Sequence, residues 1–136
     1  MPGRLGSADE RQEGLARRFF GAFGRADSTD VIRDAMTEDA VTWITNAEGG
    51  SDRVEGREGW IARVPSLEGA EGHVYVVQVV PIAADRMLTM IEVHAARKGR
   101  TLHNFAAFLT RVDDGRIAEL WMVDAKPAES DAFWGA

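Results

Sequence analysis

The stretch that decides the fold is "TLHNFAAFLTRVDDGRIAELWMVDA", residues 101–125. Two apolar runs flank Asp114-Gly115, the kind of dipeptide that favours a two-residue hairpin turn. In the first run Asn104, Ala106, Phe108, Thr110 and Val112 fall on one parity, with His103 on the other. In the second, Leu120, Met122 and Asp124 alternate with Trp121 and Val123. Side chains two apart share a face of a strand. The spacing predicts a hairpin whose open end carries Asn104 and Asp124, while His103 points to the opposite side.

Working upstream, "HVYVVQVVPIA" (73–83) and "MLTMIEVHAAR" (87–97) read as two more long strands, and "KGR" (98–100) turns the chain into the hairpin. On 87–97 the better apolar set is Met87, Thr89, Ile91, Val93 and Ala95, which sends Leu88, Met90, Glu92 and His94 to the outer face. Both faces of 73–80 are apolar, so the register of Tyr75 stays open.

The first half is helical. Ser7 with Glu10 has the pattern of a capping box, and Leu15, Phe19, Ala22 and Phe23 follow at helical spacing. "GRAD" (24–27) ends that helix, and Asp27 or Ser28 is placed to cap a second, "TDVIRDAM" (29–36). "AVTWIT" (40–45) is β-rich, and "NAEGGSDRVEG" (46–56) reads as a polar, Gly-rich loop. "REGWIARV" (57–64) reads as a third short helix that stops before Pro65. The tail "KPAESDAFWGA" (126–136) holds Phe133 and Trp134, which should fold back onto something apolar. Residues 1–6 read as loose and 7–136 as a single domain. Helices first, then strands joined by short turns, is an α+β layout. We expect a cone-shaped, curved, mainly antiparallel sheet with three N-terminal helices across one face, enclosing a cavity.

Composition narrows the function. With 136 residues the chain can bury a core without staples. It has no cysteine, so disulfides and thiol chemistry are excluded. Its net charge of −6 argues against nucleic acid, which needs a basic footprint. No run of eighteen apolar residues offers a membrane-spanning helix, and "MPGRLGSADERQ" lacks the apolar stretch of a secretory signal. A cytoplasmic location is expected. His73, His94 and His103 fall on three different strands without spacing such as H-x-x-x-H, and "EGG" and "EGAEG" lack the context of a phosphate loop. No metal and no cofactor are therefore expected.

Five segments together resemble a known family: "FFGAFGRAD" (19–27), "MTEDAVTW" (36–43), "VEGREGW" (54–60), "HNFAAFLTRVDDGRIAELW" (103–121) and "DAFWG" (131–135). Over nearly its whole length the chain is similar to the SnoaL-like and ketosteroid-isomerase-like branch of the nuclear transport factor 2-like superfamily. That resemblance implies the same α+β cone. It leaves chemistry open, since the superfamily spans isomerases, polyketide cyclases, epoxide hydrolases, dehydratases and non-catalytic binding modules. Similar ketosteroid isomerases use a tyrosine, a carboxylate base and a protonated aspartate. Anchoring on Gly99 and "FFGAFGRAD" brings those positions to Phe19, Ile44 and Phe108, none of which carries a side-chain oxygen. Similar epoxide hydrolases place a carboxylate on the last strand. That position falls near Met122, with Asp124 two residues on, while their Arg-x-Asp has no match beyond Glu92-x-His94.

The candidates follow. Asp124 heads them as a general acid or base; its plainer role is to cap "AKPA" or to pair with Lys126. Asn104 can orient a ligand oxygen, or be a buried amide bonded to backbone. His94 can form a dyad with Glu92, or be an interfacial residue, and only histidine ordinarily titrates near neutrality. Phe19, Trp43, Trp60, Tyr75, Ile91, Phe108, Leu120, Met122 and Trp134 are the expected ligand wall, with Trp134 as a lid and Ile61 and Val64 helping Trp60. The leading function is a cofactor-free isomerase, cyclase or hydrolase acting on a small, largely apolar molecule of polyketide or terpenoid kind. The other is a non-catalytic ligand-binding or dimerisation module. In either case we expect a homodimer through the outer sheet face, where Leu88, Met90 and Trp121 lie with Glu92 and His94.

Overall fold

The predicted hairpin forms as β5 (Arg100–Asp113) and β6 (Arg116–Asp124) in a computed structural model that describes residues 8–23, 25–63 and 70–135. Its turn residues Asp114 and Gly115 both have positive φ, 51° and 78°. That is the backbone a two-residue hairpin requires, and glycine adopts it without a Cβ penalty. Along β5 Leu102, Asn104, Ala106, Phe108 and Thr110 are buried while His103 and Phe105 are exposed, so the alternation read from the sequence holds.

β3 (Ala70–Ala83) and β4 (Arg86–Arg97) continue the antiparallel meander, and the four strands lie in the order β6-β5-β4-β3. The register of β3 was illegible for a physical reason. A bulge between Val76 and Gln78 changes its parity, so no single alternation runs the length of the strand.

The other side of the sheet was only half legible. β1 (Met36–Thr45) lies beside β6 in parallel, pairing Trp43 with Trp121. It starts at Met36, directly after a helix that ends at Ala35 and four residues earlier than expected. Outside it β2 (Ser51–Glu55) pairs antiparallel with β1, where the sequence had suggested only loop. Ser51, Arg53 and Glu55 are exposed and only Val54 is buried, so this edge strand has almost no apolar alternation to read. The true turn is 46–50, held by Asn46 Oδ1, which accepts from the backbone N–H of Glu48 (3.2 Å) and Gly50 (2.9 Å).

Helices cover one face. α1 (Ala8–Gly21) buries Leu15, Ala16, Phe19 and Phe20 toward the sheet. Gln12 ties it to the β3–β4 turn, donating to the carbonyls of Ala83 (3.0 Å) and Ala84 (2.8 Å). α2 (Ser28–Ala35) has Asp27 at its N-cap, yet that carboxylate makes no cap bond and is held by Arg25 instead. α3 (Arg57–Arg63) is fixed to α2 by a paired Arg33–Glu58 contact and by Arg57 donating to the Arg33 carbonyl at 2.8 Å. A fourth helix, α4 (Pro127–Gly135), forms where only a folded-back tail was foreseen. Pro127 stands at its first position and Glu129 in its first turn, both favourable at a helix start. Arg97 donates to the Trp134 carbonyl at 2.6 Å, anchoring the far end.

The main core gathers Phe19, Phe20, Ile32, Met36, Met87, Phe108, Ile117 and Leu120, with a smaller cluster of Ala95, Leu102 and Phe133 under α4. The α+β expectation of three N-terminal helices over a mainly antiparallel sheet is met, with α4 added. Among the described residues no helix is long and apolar enough to cross a membrane. Ser7 of the expected capping box, Val64 and Pro65 lie outside the described residues.

Candidate functional site

Between the helices and the inner face of the sheet lies a cavity of about 450 Å³, within the size range of small-molecule sites. The side chains that the core leaves at its surface are mostly apolar. Phe19, Phe20 and Ile32 come from α1 and α2, Trp60 from α3, Ile44 from β1, Ile91 and Val93 from β4, Phe108 from β5, Met122 from β6 and Trp134 from α4. Phe19 and Trp60 stack with ring centroids 6.4 Å apart, and Trp134 meets Phe23 edge-on at 6.0 Å.

Four lining side chains form one hydrogen-bonded group at the open end of the hairpin. Asn104 Nδ2 donates to Asp124 Oδ1 (2.7 Å) and to Ser130 Oγ (2.8 Å). Because a carboxylate only accepts, the amide nitrogen must face Asp124, which settles the orientation of the Asn104 side chain. Asn104 Oδ1 accepts from the Phe105 backbone N–H at 2.8 Å. Asp124 Oδ1 also accepts from the Lys126 backbone N–H at 2.7 Å, just ahead of α4. Thr45 Oγ1 donates to the Met122 carbonyl (2.7 Å) and accepts from the Asp124 backbone N–H (3.3 Å). Asn104 is 3% and Asp124 8% exposed, so each requires such partners to be buried at all.

This group has a structural role at the rim of the cavity. Asp124 does lie where the sequence placed it, on the cavity side. It also makes the local bond to the chain of "AKPA" that its plainer reading required. The amide hydrogens of Asn104 go to Asp124 and Ser130, so its first task is to hold the carboxylate and α4. Thr45 and Ser130 were missed. Ser130 belongs to α4, and Pro127 followed by Glu129 was the signal that could have revealed that helix.

Of the expected ligand wall, Phe19, Trp60, Ile91, Phe108, Met122 and Trp134 line the cavity. The other expectations are corrected. Trp43 lies on the opposite face, because Thr42 and Ile44 take the inward parity of β1; it stacks on Trp121 at 4.8 Å with the ring planes 3° apart. Tyr75 is half exposed on the outer face of β3. Leu120 faces inward but is fully buried in the core and reaches no open space. His94 does meet Glu92, at 3.2 Å, but on the outer face and away from Asp124. Strand register, not sequence spacing, brings Glu92, His94 and His103 together on that face, with their donor atoms within 4.8 Å of one another.

No protein-family model matches the sequence. Uncharacterized proteins of Mycobacterium tuberculosis and Mycobacterium bovis are similar to it at 23% identity over 129 residues, spanning 93% of this chain and 98% of theirs. Among solved structures, a protein described as a SnoaL-like polyketide cyclase from Jannaschia sp. CCS1 superposes with a TM-score of 0.76 at 20% identity, covering 95% of each chain. An LEH-like epoxide hydrolase of Mycobacterium tuberculosis gives 0.70 at 18%, over 87% of this chain and 85% of its own. Bal32a, from a soil-derived mobile gene cassette, gives 0.72 at 17%, over 94% and 99%. At such identities the likeness speaks for the backbone. The chain has the nuclear transport factor 2-like fold of the SnoaL-like proteins.

Proposed function

We propose that this protein is a SnoaL-like enzyme that performs cofactor-free acid–base chemistry on a largely apolar small molecule, as an isomerase, cyclase or hydrolase. The observation that carries the reading is a buried carboxylate, Asp124, held by Asn104 at one end of a mostly apolar cavity. Asp124 is the acid or base. Asn104 is its positioning residue, fixing the carboxyl plane, and Ser130 extends the polar patch toward the ligand's oxygen. The aromatic wall of Phe19, Trp60 and Phe108 suits a flat or ring-bearing substrate of polyketide or terpenoid kind. The polyketide cyclase and epoxide hydrolase among the structural neighbours support this class of reaction. Location in the cytoplasm and a homodimer belong to the same reading.

A second reading, a non-catalytic binding module, is favoured by one contact. The bond from Lys126 N–H to Asp124 Oδ1 gives the carboxylate a structural task of its own. Thermal-shift screening against polyketide and terpene-epoxide compounds, followed by product analysis with wild type and Asp124→Asn, separates the two. Turnover that depends on Asp124 supports the enzyme. Binding without turnover, or turnover that Asp124→Asn leaves intact, overturns the catalytic role.

A further inference from the structure

On the outer face of the sheet, backbone pairing sets the chain's three histidines in a row. His73 on β3 pairs with His94 on β4, and His94 pairs with His103 on β5. Glu92 stands two residues before His94 on the same face, and one of its oxygens faces two imidazoles. Its Oε2 lies 2.6 Å from His103 Nε2 and 3.2 Å from His94 Nε2. We propose that Glu92, His94 and His103 bind a divalent transition-metal ion of the zinc class.

The geometry is close to that of a ligand set. The three donor atoms lie within 4.8 Å of one another. With metal–nitrogen bonds of about 2.0–2.1 Å, neighbouring ligand atoms of a tetrahedral site stand about 3.3 Å apart. Small rotations of the His94 and His103 side chains, each about half in solvent, would complete the site. The backbone preorganises it, since His94 and His103 are register partners and their rings lie parallel, 4.3 Å apart at 17°. Tyr75 packs edge-on against His94 at 5.7 Å, and Phe105 leans on His103 at 5.1 Å, which limits how the rings turn.

Two neutral imidazoles and one carboxylate suit zinc and its borderline neighbours, and the carboxylate offsets half of the ion's charge. The ion would bind each imidazole through Nε2, with the ring's one proton on Nδ1; a proton on Nε2 would first move to Nδ1 or to solvent, and nothing is oxidised or reduced. Three protein donors leave a fourth position for water. The sheet separates this site from Asp124, so it stands independently of the cavity's chemistry.

The test uses untagged full-length protein and zinc chloride alone at neutral pH, read by competition with a chromogenic chelator. We expect one ion per chain with micromolar or tighter affinity. Glu92→Gln, His94→Ala and His103→Ala should each weaken it by about tenfold or more. His73→Ala, outside the three-donor group, should leave it near wild type. In the single chain His73, His94 and His103 are exposed and Glu92 is half-buried, and circular dichroism checks that each variant is folded. No saturable binding by wild type, or affinity unchanged in the three donor variants, overturns the proposal. Affinity lost in His73→Ala but kept in His103→Ala overturns the assigned ligand set.

Discussion

Asn104 Nδ2 stands 2.7 Å from Asp124 Oδ1, and the two residues face each other from neighbouring strands on the cavity side of the sheet. Asp124→Asn preserves this shape, since an amide oxygen can accept the same two bonds. The variant should keep its melting temperature and lose turnover by a factor on the order of 10² or more, as for a removed general acid or base. Asn104→Leu strips donors from a buried carboxylate and a tie to Ser130. It should cost about 1–3 kcal/mol of stability, measured by urea denaturation. An Asp124→Asn protein that melts early but turns over normally would leave only the structural role.

Phe19, Ile44 and Phe108, the positions that an isomerase triad would occupy by resemblance, all line the cavity. None offers an oxygen to an enolate or a proton to a carbanion. The protein should show no isomerisation of a β,γ-unsaturated ketosteroid above background in an absorbance assay, even where the steroid binds.

The outer face exposes Tyr75, Val77, Met90, Phe105 and Val123 together. A patch of this kind is costly to leave in water and commonly marks an interface. We expect a two-fold dimer through this face in sedimentation at micromolar concentration. Val77→Asp, placed on β3 apart from the histidine row, should shift it toward monomer. A wild-type monomer would remove the proposal.

Hydrogen bonds from Arg33 hold the Glu58 carboxyl below its ordinary range, and those from Asn46 and Arg63 do so for Asp52. A carboxylate whose folded value is depressed binds protons less readily than in the unfolded chain. Its contribution is complete above the unfolded value and disappears as pH falls through the folded one. Since unfolded carboxylates titrate near pH 4, the loss should set in below about pH 5. Glu58→Gln should melt below wild type at neutral pH, and the gap should narrow at about pH 3. A constant gap would show that the Arg33–Glu58 pair has no such linkage.

Thr89 and Thr110 are fully buried, and neither hydroxyl has a hydrogen-bond partner among the described residues. An unmatched buried hydroxyl costs about 1–3 kcal/mol. Thr89→Val and Thr110→Val keep the side-chain shape and should raise the urea midpoint. A lowered midpoint would mean that the hydroxyls are satisfied.

The legible parts of this protein were those with a single clean period. β5 showed its faces because Asn104, Ala106, Phe108 and Thr110 alternate with less buried neighbours, and the same rule put Asp124 inside. Tyr75 could not be placed because a bulge interrupts β3. β2 was invisible because an edge strand with one buried side chain carries no pattern. Trp43 was misplaced by its residue type, though Ile44 had already claimed the inward parity. The Glu92–His94 pair was legible, but its meeting with His103 was hidden because strand register alone makes it.

The parallel pairing of β1 with β6 has a kinetic consequence. β3 to β6 follow one another and pair with immediate neighbours, whereas Trp43 meets Trp121 across most of the chain. Closing so long a loop is entropically unfavourable until the meander exists to receive it. β1, and with it β2 and α3, should join last and loosen first. Amide hydrogens should then exchange slowest in β4 and β5 and sooner in β1 and β2, so that one side of the cavity opens while the sheet beneath it stays whole. A ligand gripped from both sides would slow exchange chiefly in the late-joining part, which would reveal occupancy before any product is known.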